Sequence, residues 1–510
     1  MGWEPNIKTA TRARLLRVTG GEGLLLLPAL SVAAYWIGGE AALMTMAIAV
    51  PVVFALVGLG RRTGHTPVVA PSSDGFASEA QFVESLGRVL DDVAINGRTT
   101  ACFVLMFDEL DALVDRHGRL ALDQVMARTG ERLCSALRAG DVVARLSGHG
   151  FAVSLAPVRR FDLENAVQMA ARLQSAATAP LAVDEMTVHP SMSVGFCLAD
   201  RAPALLGPAM LAAAQVAADE ALRNGPGAMR AYQPEMARRR ADRAELRAGL
   251  ELALDEGQIR PWFQPQLSTD TGEISGFEAL ARWHHPERGI IAPSEFLPLV
   301  EDAGLSERLA EVILYGALSA LTRWDKAGHR IARVAVNFSA ADLRNPRLPE
   351  KLKWELDRFS LAPARLTIEV LETVAARSDD DVIVTNLAQI AALGCGIDLD
   401  DFGTGQASIA NIRRFAVRRI KVDRCFVSRS DTDPDQKRMV AAILSLCDQL
   451  GLETVAEGVE TPGEHATVAQ LGCSHVQGFG IGRPMAVEET FGWITRHEHA
   501  RKRASHFGRQ

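Results

Sequence analysis

No CxxC pair occurs in this 510-residue chain, and its seven cysteines are scattered without the spacing of a zinc site. An odd, unpaired set excludes a disulfide framework and points to reduced, structural thiols in a reducing compartment. A strong charge of either sign is also missing. The formal net charge is −7, which gives no basic footprint for a nucleic acid polymer. Charged residues make up 23% and apolar ones 48%, so large cores can be buried. At ~100–200 residues per domain the length allows roughly three or four units.

Charge is locally absent near the start. After Lys8, Arg12, Arg14 and Arg17, the stretch from Gly23 to Gly39 carries no charged side chain. Glu40 interrupts, Ala41 to Gly60 form a second charge-free run, and Arg61 and Arg62 close it. A spanning helix needs ~17–25 apolar residues, so both runs predict transmembrane helices. Gly38, Gly39 and Glu40 would form the turn between them. Arginines flank the outer ends and none sits in the turn, which places both termini in the cytoplasm. The expectation is a membrane anchor over residues 1–63. A cleaved signal peptide is the alternative, and the second apolar run argues against it.

Residues 64–75 read as a linker rich in Pro, Ser and Gly. From 76 to 233, helical and strand patterns alternate. Ala101 to Phe107 predicts a strand, Ala121 to Leu137 has helical spacing, and Val142 to Ala156 reads as two short strands. Residues 234–256 predict a charged connecting helix. From 257 to 498 short apolar runs end in polar residues, with helical stretches between. These runs are GFE (276–278), RVAVN (333–337), LTIE (366–369), GIDLDD (396–401), RIKVD (419–423), ETVAE (453–457) and HVQ (475–477). Alternating strands and helices imply a parallel sheet. The length fits an α/β chain with a C-terminal TIM-like (β/α)8 barrel, whose strand C-termini line an active site. The tail from His497 is short and basic and is expected to be disordered.

The residues at those strand ends are Glu278, Asn337, Glu369, Asp400, Asp401, Lys421, Glu457 and Gln477. Carboxylates converging at one barrel mouth repel; each like pair at ~4 Å costs about 4 kcal/mol at an effective dielectric of 20. Bound cations relieve that. Oxygen-only ligands favour hard metals such as Mg²⁺ or Mn²⁺. The adjacent Asp400 and Asp401 can bridge two metals, the usual arrangement for hydrolysing a phosphodiester. Lys421 adds a positive charge that can hold an attacking water or stabilise a developing phosphorane.

At these residues the sequence resembles the EAL family of cyclic di-GMP phosphodiesterases. The signature stands at 277–283 as FEALARW, followed by NFS at 337–339, EVLE at 369–372, DDFGTG at 400–405, IKVD at 420–423, EGVE at 457–460 and QGFGIGRP at 477–484. The resemblance implies hydrolysis of cyclic di-GMP to linear pGpG with two Mg²⁺ or Mn²⁺ ions, usually by a homodimer. It implies Glu278, Asn337, Glu369 and Asp400 as ligands of the first metal. It implies Asp400, Asp401 and Glu457 at the second. Lys421 resembles the residue that orients the nucleophilic water, and Glu457 the general base. Gln264, Arg282 and Gln477 resemble substrate contacts, with Arg282 suited to a phosphate. Glu372 resembles the residue that steadies the DDFGTG loop. The family's aromatic and two serines after that loop are replaced by Gln406-Ala407-Ser408. A catalytically inactive cyclic di-GMP receptor and a signalling scaffold are the alternatives. With the anchor, the resemblance implies a multi-pass protein of the bacterial inner membrane, its catalytic domains cytoplasmic.

Residues 76–233 resemble the GGDEF diguanylate cyclase family in degenerate form. The signature reads Ser147-Gly148-His149-Gly150-Phe151, so His149 and Gly150 replace both acids. Asp108 matches the remaining metal-binding aspartate. Without two acids the two-metal phosphoryl transfer lacks its electrostatics, and no cyclase activity is expected. Arg138 and Asp141 stand at the spacing of the family's inhibitory RxxD site for cyclic di-GMP. Binding of GTP or cyclic di-GMP here, or a structural role, are the readings left open.

Overall fold

The computed structural model describes residues 76–108, 110–147, 150–183, 186–372, 374, 381–403, 412 and 414–507, with the isolated positions 36 and 39. The two predicted membrane spans, Trp36 and Gly39 apart, lie outside the described residues, as do Gly148, His149 and residues 404–408. Among the described residues no helix is long and apolar enough to cross a membrane. The multi-pass inner-membrane localisation is therefore corrected: the described helices give it no support. The physical reason is amphipathicity. The long helix over Pro234–Asp255, for example, carries Arg238, Arg239, Arg240, Asp242 and Arg243 among six consecutive residues.

The chain divides into two units at Arg238/Arg239. The first contains, in order, α1 (Glu79–Asn96), β1 (Ala101–Phe107), α2 (Leu110–Ser135), β2 (Val142–Leu146), β3 (Gly150–Ser154), α3 (Leu163–Thr178), the hairpin β4 (Leu181–Val183) and β5 (Met186–Val188), β6 (Met192–Leu198), α4 (Gly207–Arg223) and β7 (Met229–Ala231). Helix α1 begins where the Ser78 hydroxyl and the Gln81 side chain cap each other's backbone N–H. The main sheet runs β2-β3-β1-β6-β7, antiparallel except for β6 with β7. Strand β1 is apolar throughout and its residues alternate between two cores. Phe103 and Leu105 join side chains of α2 and α3, while Cys102 and Val104 join those of α1 and α4. At Gly195 a Cβ would lie 1.9 Å from the Ala218 nitrogen, so only glycine lets α4 pack this close to β6.

Helix α5 (Pro234–Asp255) buries Leu246, Leu250 and Leu254 in the core of the second unit. Next come β8 (Ile259–Ser268), β9 (Ile274–His285), β10 (Gly289–Ile291), α6 (Pro293–Asp302), α7 (Ser306–Lys326), β11 (Val334–Asn337), α8 (Ala340–Leu343), α9 (Leu348–Phe359), β12 (Leu366–Leu371) and α10 (Asp381–Leu393). The remainder is β13 (Gly396–Phe402), β14 (Arg419–Val422), α11 (Arg424–Val427), α12 (Pro434–Gln449), β15 (Glu453–Ala456), α13 (Pro462–Gln470), β16 (His475–Gln477) and α14 (Val487–Phe507).

Strands β9 and β11–β16 pair in parallel, and β8 closes the barrel by pairing antiparallel with both β9 and β16. Alternation alone predicts all-parallel strands. Strand β8 departs because a hairpin, with Gly272 at φ 64, returns the chain directly into β9 without a crossover helix. The tail also differs from expectation. Helix α14 continues to Phe507, tied by Arg501 to Glu273 (2.6 Å) and by a hydrogen bond between His497 and the Gly272 carbonyl (2.8 Å). Trp324 of α7 anchors the barrel's outer layer. It stacks on Phe277 at 4.8 Å, meets Phe263 edge-on at 5.2 Å, and donates to the Thr490 hydroxyl at 2.8 Å.

Candidate active site

Short apolar strands deliver the polar residues. In β12 and β14 the alternation that buries Ile368 and Ile420 outward leaves Glu369 and Lys421 facing the barrel interior. Lys421 lies at the centre of the site. Its ammonium stands 2.8 Å from Glu457, 3.0 Å from Glu369 and Asp400, and 3.5 Å from Glu278. Asn337, closing β11, donates to Glu278 (2.9 Å) and Glu369 (3.1 Å).

Asp400 and Asp401 are neighbours on β13, and a regular strand would point them to opposite faces. The pairing of β13 with β14 shifts between Leu399 and Phe402, and Asp401 adopts φ 55. This bulge brings both carboxylates to the mouth. Glu278, Glu369 and Asp400 form one group of oxygens within 4.8 Å of one another; Asp400, Asp401 and Glu457 form a second.

Crowding sets the protonation. Burial and the Glu278 charge push Glu369 well above the usual carboxylate range. Burial raises Asp400 and Asp401, and pushes Glu457 up to about 8 against the pull of Lys421. Glu278 is also buried, but Lys421 and hydrogen bonds from Glu369, Gln477 and Asn337 outweigh that and lower it. Burial opposes charge on Lys421, yet the four carboxylates hold its pKa well above normal.

A cavity of about 270 Å³ opens over the site, lined by Gln264, Glu278, Asp400, Lys421, Glu457 and Gln477 together with Arg424 and Phe479. Gln477 donates to Glu278 (2.6 Å) and Gln264 (3.1 Å). Arg282 is on β9 four residues beyond Glu278; its guanidinium bonds its own Ala281 carbonyl (2.7 Å), and it is not among the cavity-lining residues. Glu372 is buried and accepts from the Gly403 N–H (2.8 Å), at the start of the loop it is expected to steady. His284 and His285 close β9, and His284 accepts from the Trp262 indole (2.9 Å).

Two families match the chain: the EAL domain over residues 247–484 and the diguanylate cyclase, GGDEF domain over residues 75–227. The chain carries an EAL domain preceded by a GGDEF domain. It is 33% identical over 390 residues to the bifunctional diguanylate cyclase/cyclic di-GMP phosphodiesterase MucR of Pseudomonas aeruginosa, covering 76% of this chain and 56% of that protein. It is 30% identical over 393 residues to the cyclic di-GMP phosphodiesterase PdeR of Escherichia coli, covering 77% and 58%. The chain thus spans about half the length of the curated relatives it matches. The solved PaMucR phosphodiesterase, in complex with c-di-GMP, is similar at 39% identity over 48% of this chain and 99% of that one, with a TM-score of 0.46.

In the GGDEF domain, Asp108 receives hydrogen bonds from the Ser191 and Ser193 hydroxyls and from the Gly227 N–H (2.9 Å). Asp141 receives the backbone N–H of Ala156 (2.8 Å) and of Arg138 (3.1 Å), and pairs with the Arg138 guanidinium at 3.5 Å. Sequence reasoning missed three residues beneath the EAL site: Gln266, Asp398 and Arg419, all buried. Period-two spacing could have found them, because each lies two positions from a residue already singled out, at 264, 400 and 421.

Proposed function

We propose that the EAL domain hydrolyses cyclic di-GMP to linear pGpG. The observation that carries this reading is the convergence of four carboxylates on one buried ammonium at the barrel mouth. That donor set fits divalent cations. A single Lys421 charge faces four acids, and Glu369 keeps one buried oxygen without a hydrogen-bond partner. Glu278, Asn337, Glu369 and Asp400 would hold one Mg²⁺ or Mn²⁺, and Asp400, Asp401 and Glu457 a second. When bound, the cations supply Lewis acidity at the phosphodiester.

The protein's own groups do the rest. Lys421 orients the attacking water and opposes the negative charge that develops on the phosphoryl oxygens. Glu457, raised by burial, takes the water's proton near neutral pH. Gln264 and Gln477 hold the nucleotide against the cavity wall, and Arg282 reaches a phosphate. Glu372 steadies the loop that begins at Gly403, and the working unit is a homodimer. The GGDEF domain does not turn over GTP. Asp108 already serves three internal donors, and Asp141 is occupied as a loop staple, so the domain is regulatory or structural and any GTP or cyclic di-GMP it binds is not consumed.

The test is incubation of the purified chain with cyclic di-GMP and Mn²⁺ or Mg²⁺, beside Glu278→Ala. Appearance of pGpG that is lost in the variant supports the reading. Binding without product in the parent would make the domain a receptor. Incubation with GTP alone tests the silent cyclase, and formation of cyclic di-GMP would overturn it.

A further inference from the structure

A line of buried polar side chains runs from deep in the EAL barrel to Glu278. It starts at Asp398 on β13, which accepts from the Arg419 Nε (2.8 Å) and Nη2. The Arg419 Nη2 also donates to the Gln266 Oε1 (3.3 Å). The Gln266 Nε2 donates to the Gln477 Oε1 (2.8 Å), and the Gln477 Nε2 donates to the Glu278 Oε2 (2.6 Å) and the Gln264 Oε1 (3.1 Å). Gln264 ends the branch by donating to the Gly482 carbonyl (3.0 Å). Arg419 and Gln266 have no solvent exposure, and Asp398, Gln477 and Glu278 are also buried.

The chemistry gives this line a direction. An amide side chain can be turned either way, but a guanidinium only donates. Arg419 therefore obliges Gln266 to present its oxygen. That turns the Gln266 NH2 toward Gln477, which must answer with its own oxygen. The Gln477 NH2 is then the group left facing Glu278. With the amide reversed, an oxygen would confront the oxygen of the buried Glu278 carboxylate. The strand pairing keeps the line in register, because Gln477 lies opposite Gln266 and Glu278 opposite Gln264.

We infer that Arg419 and Gln266 are positioning residues: they set the orientation of the Gln477 amide and, through it, hold the Glu278 carboxylate ready for a divalent cation. The inference rests on the metal-site reading above but not on which substrate is cleaved. Gln477 is the residue that touches the ligand Glu278, and losing such a contact typically costs roughly 10–100-fold in metal affinity or activity.

The test uses the full chain with Gln266→Glu and Gln266→Met, and reads the dissociation constant of Mn²⁺ alone by titration calorimetry. Gln266→Glu keeps an acceptor for Arg419 but puts a carboxylate oxygen where the donor to Gln477 was. The Gln477 amide turns over, and Mn²⁺ binding weakens by ~10–100-fold while the melting temperature stays near that of the parent. Gln266→Met removes the directing contact without opposing it and weakens binding less. A crystal structure of Gln266→Glu shows the Gln477 oxygen turned toward Glu278, or Glu278 displaced. Parental Mn²⁺ affinity in Gln266→Glu would overturn the proposal, as would a parent that binds no Mn²⁺. If Mn²⁺ affinity falls as stated but the parent does not cleave cyclic di-GMP, the positioning role stands and only the phosphodiesterase reading fails.

Discussion

Lys421→Met removes a positive charge that neighbours four carboxylates at once, and keeps the side chain's length and apolar stem. At 3.0 Å, the distance to Glu369 and Asp400, one full charge pair is worth about 5.5 kcal/mol at an effective dielectric of 20. The four contacts do not add, because the acids repel one another and share protons. Removing one partner of a buried ion pair costs about 3–5 kcal/mol, and that is the loss expected at pH 8 without metal. The loss depends on pH. Carboxyls whose folded pKa is raised hold more protons in the folded than in the unfolded state above their ordinary range, so stability falls as pH rises. Without Lys421 these acids rise further, and the variant loses stability more steeply between pH 5 and 8 than the parent. Urea unfolding followed by tryptophan fluorescence reads this cleanly. Five of the seven tryptophans lie beyond residue 239 and none lies between 76 and 238, so the signal reports the barrel. An unchanged urea midpoint at pH 8, equal to that at pH 5.5, would refute the account of the site as an acid cluster held by one ammonium.

Three further outcomes are expected. In the parent, chelation of divalent metal with EDTA lowers the barrel's melting temperature more at pH 8 than at pH 5.5. The reason is that Glu457, pushed up to about 8 by burial, is increasingly ionised across that window and repels the neighbouring carboxylates without cations; a pH-independent shift on differential scanning calorimetry counts against it. Asp108→Ala frees the hydroxyls of Ser191 and Ser193 and the Gly227 N–H, at a cost of about 1–3 kcal/mol to the GGDEF domain. Hydrogen exchange in β6 reads that loss, and unaltered protection there speaks against the structural role. Trp324→Ala empties the contact between Phe277, Phe263 and Thr490 and costs about 3–5 kcal/mol in urea unfolding of the barrel. A loss below about 1 kcal/mol would mean that the outer layer collapses onto the gap.

Much of the site was legible because strand ends are local. A run such as Leu366 to Glu369 declares by its residues both that it is a buried strand and that an acid is carried on it into the barrel. Repeated seven times, that pattern gave the barrel and its mouth, and Glu278, Glu369, Asp400, Lys421 and Glu457 do meet there. Alternation also held the buried line below, since 266, 398 and 419 share a face with 264, 400 and 421. Nothing in the linear order, however, says which of those inward residues touch.

Three things were decided only by folding. The direction of β8 depends on a hairpin rather than a crossover, a choice of chain path that apolar periodicity does not encode. The joint orientation of Asp400 and Asp401 depends on a bulge and a left-handed residue, against the alternation of every neighbouring strand. The protonation of the acids depends on crowding around Lys421, where burial and mutual repulsion, not residue type, set each carboxyl. Residue order alone sets which side chains carry charge into the barrel. The closed sheet determined how near they come, because distance and desolvation exist only once strands remote in sequence are paired.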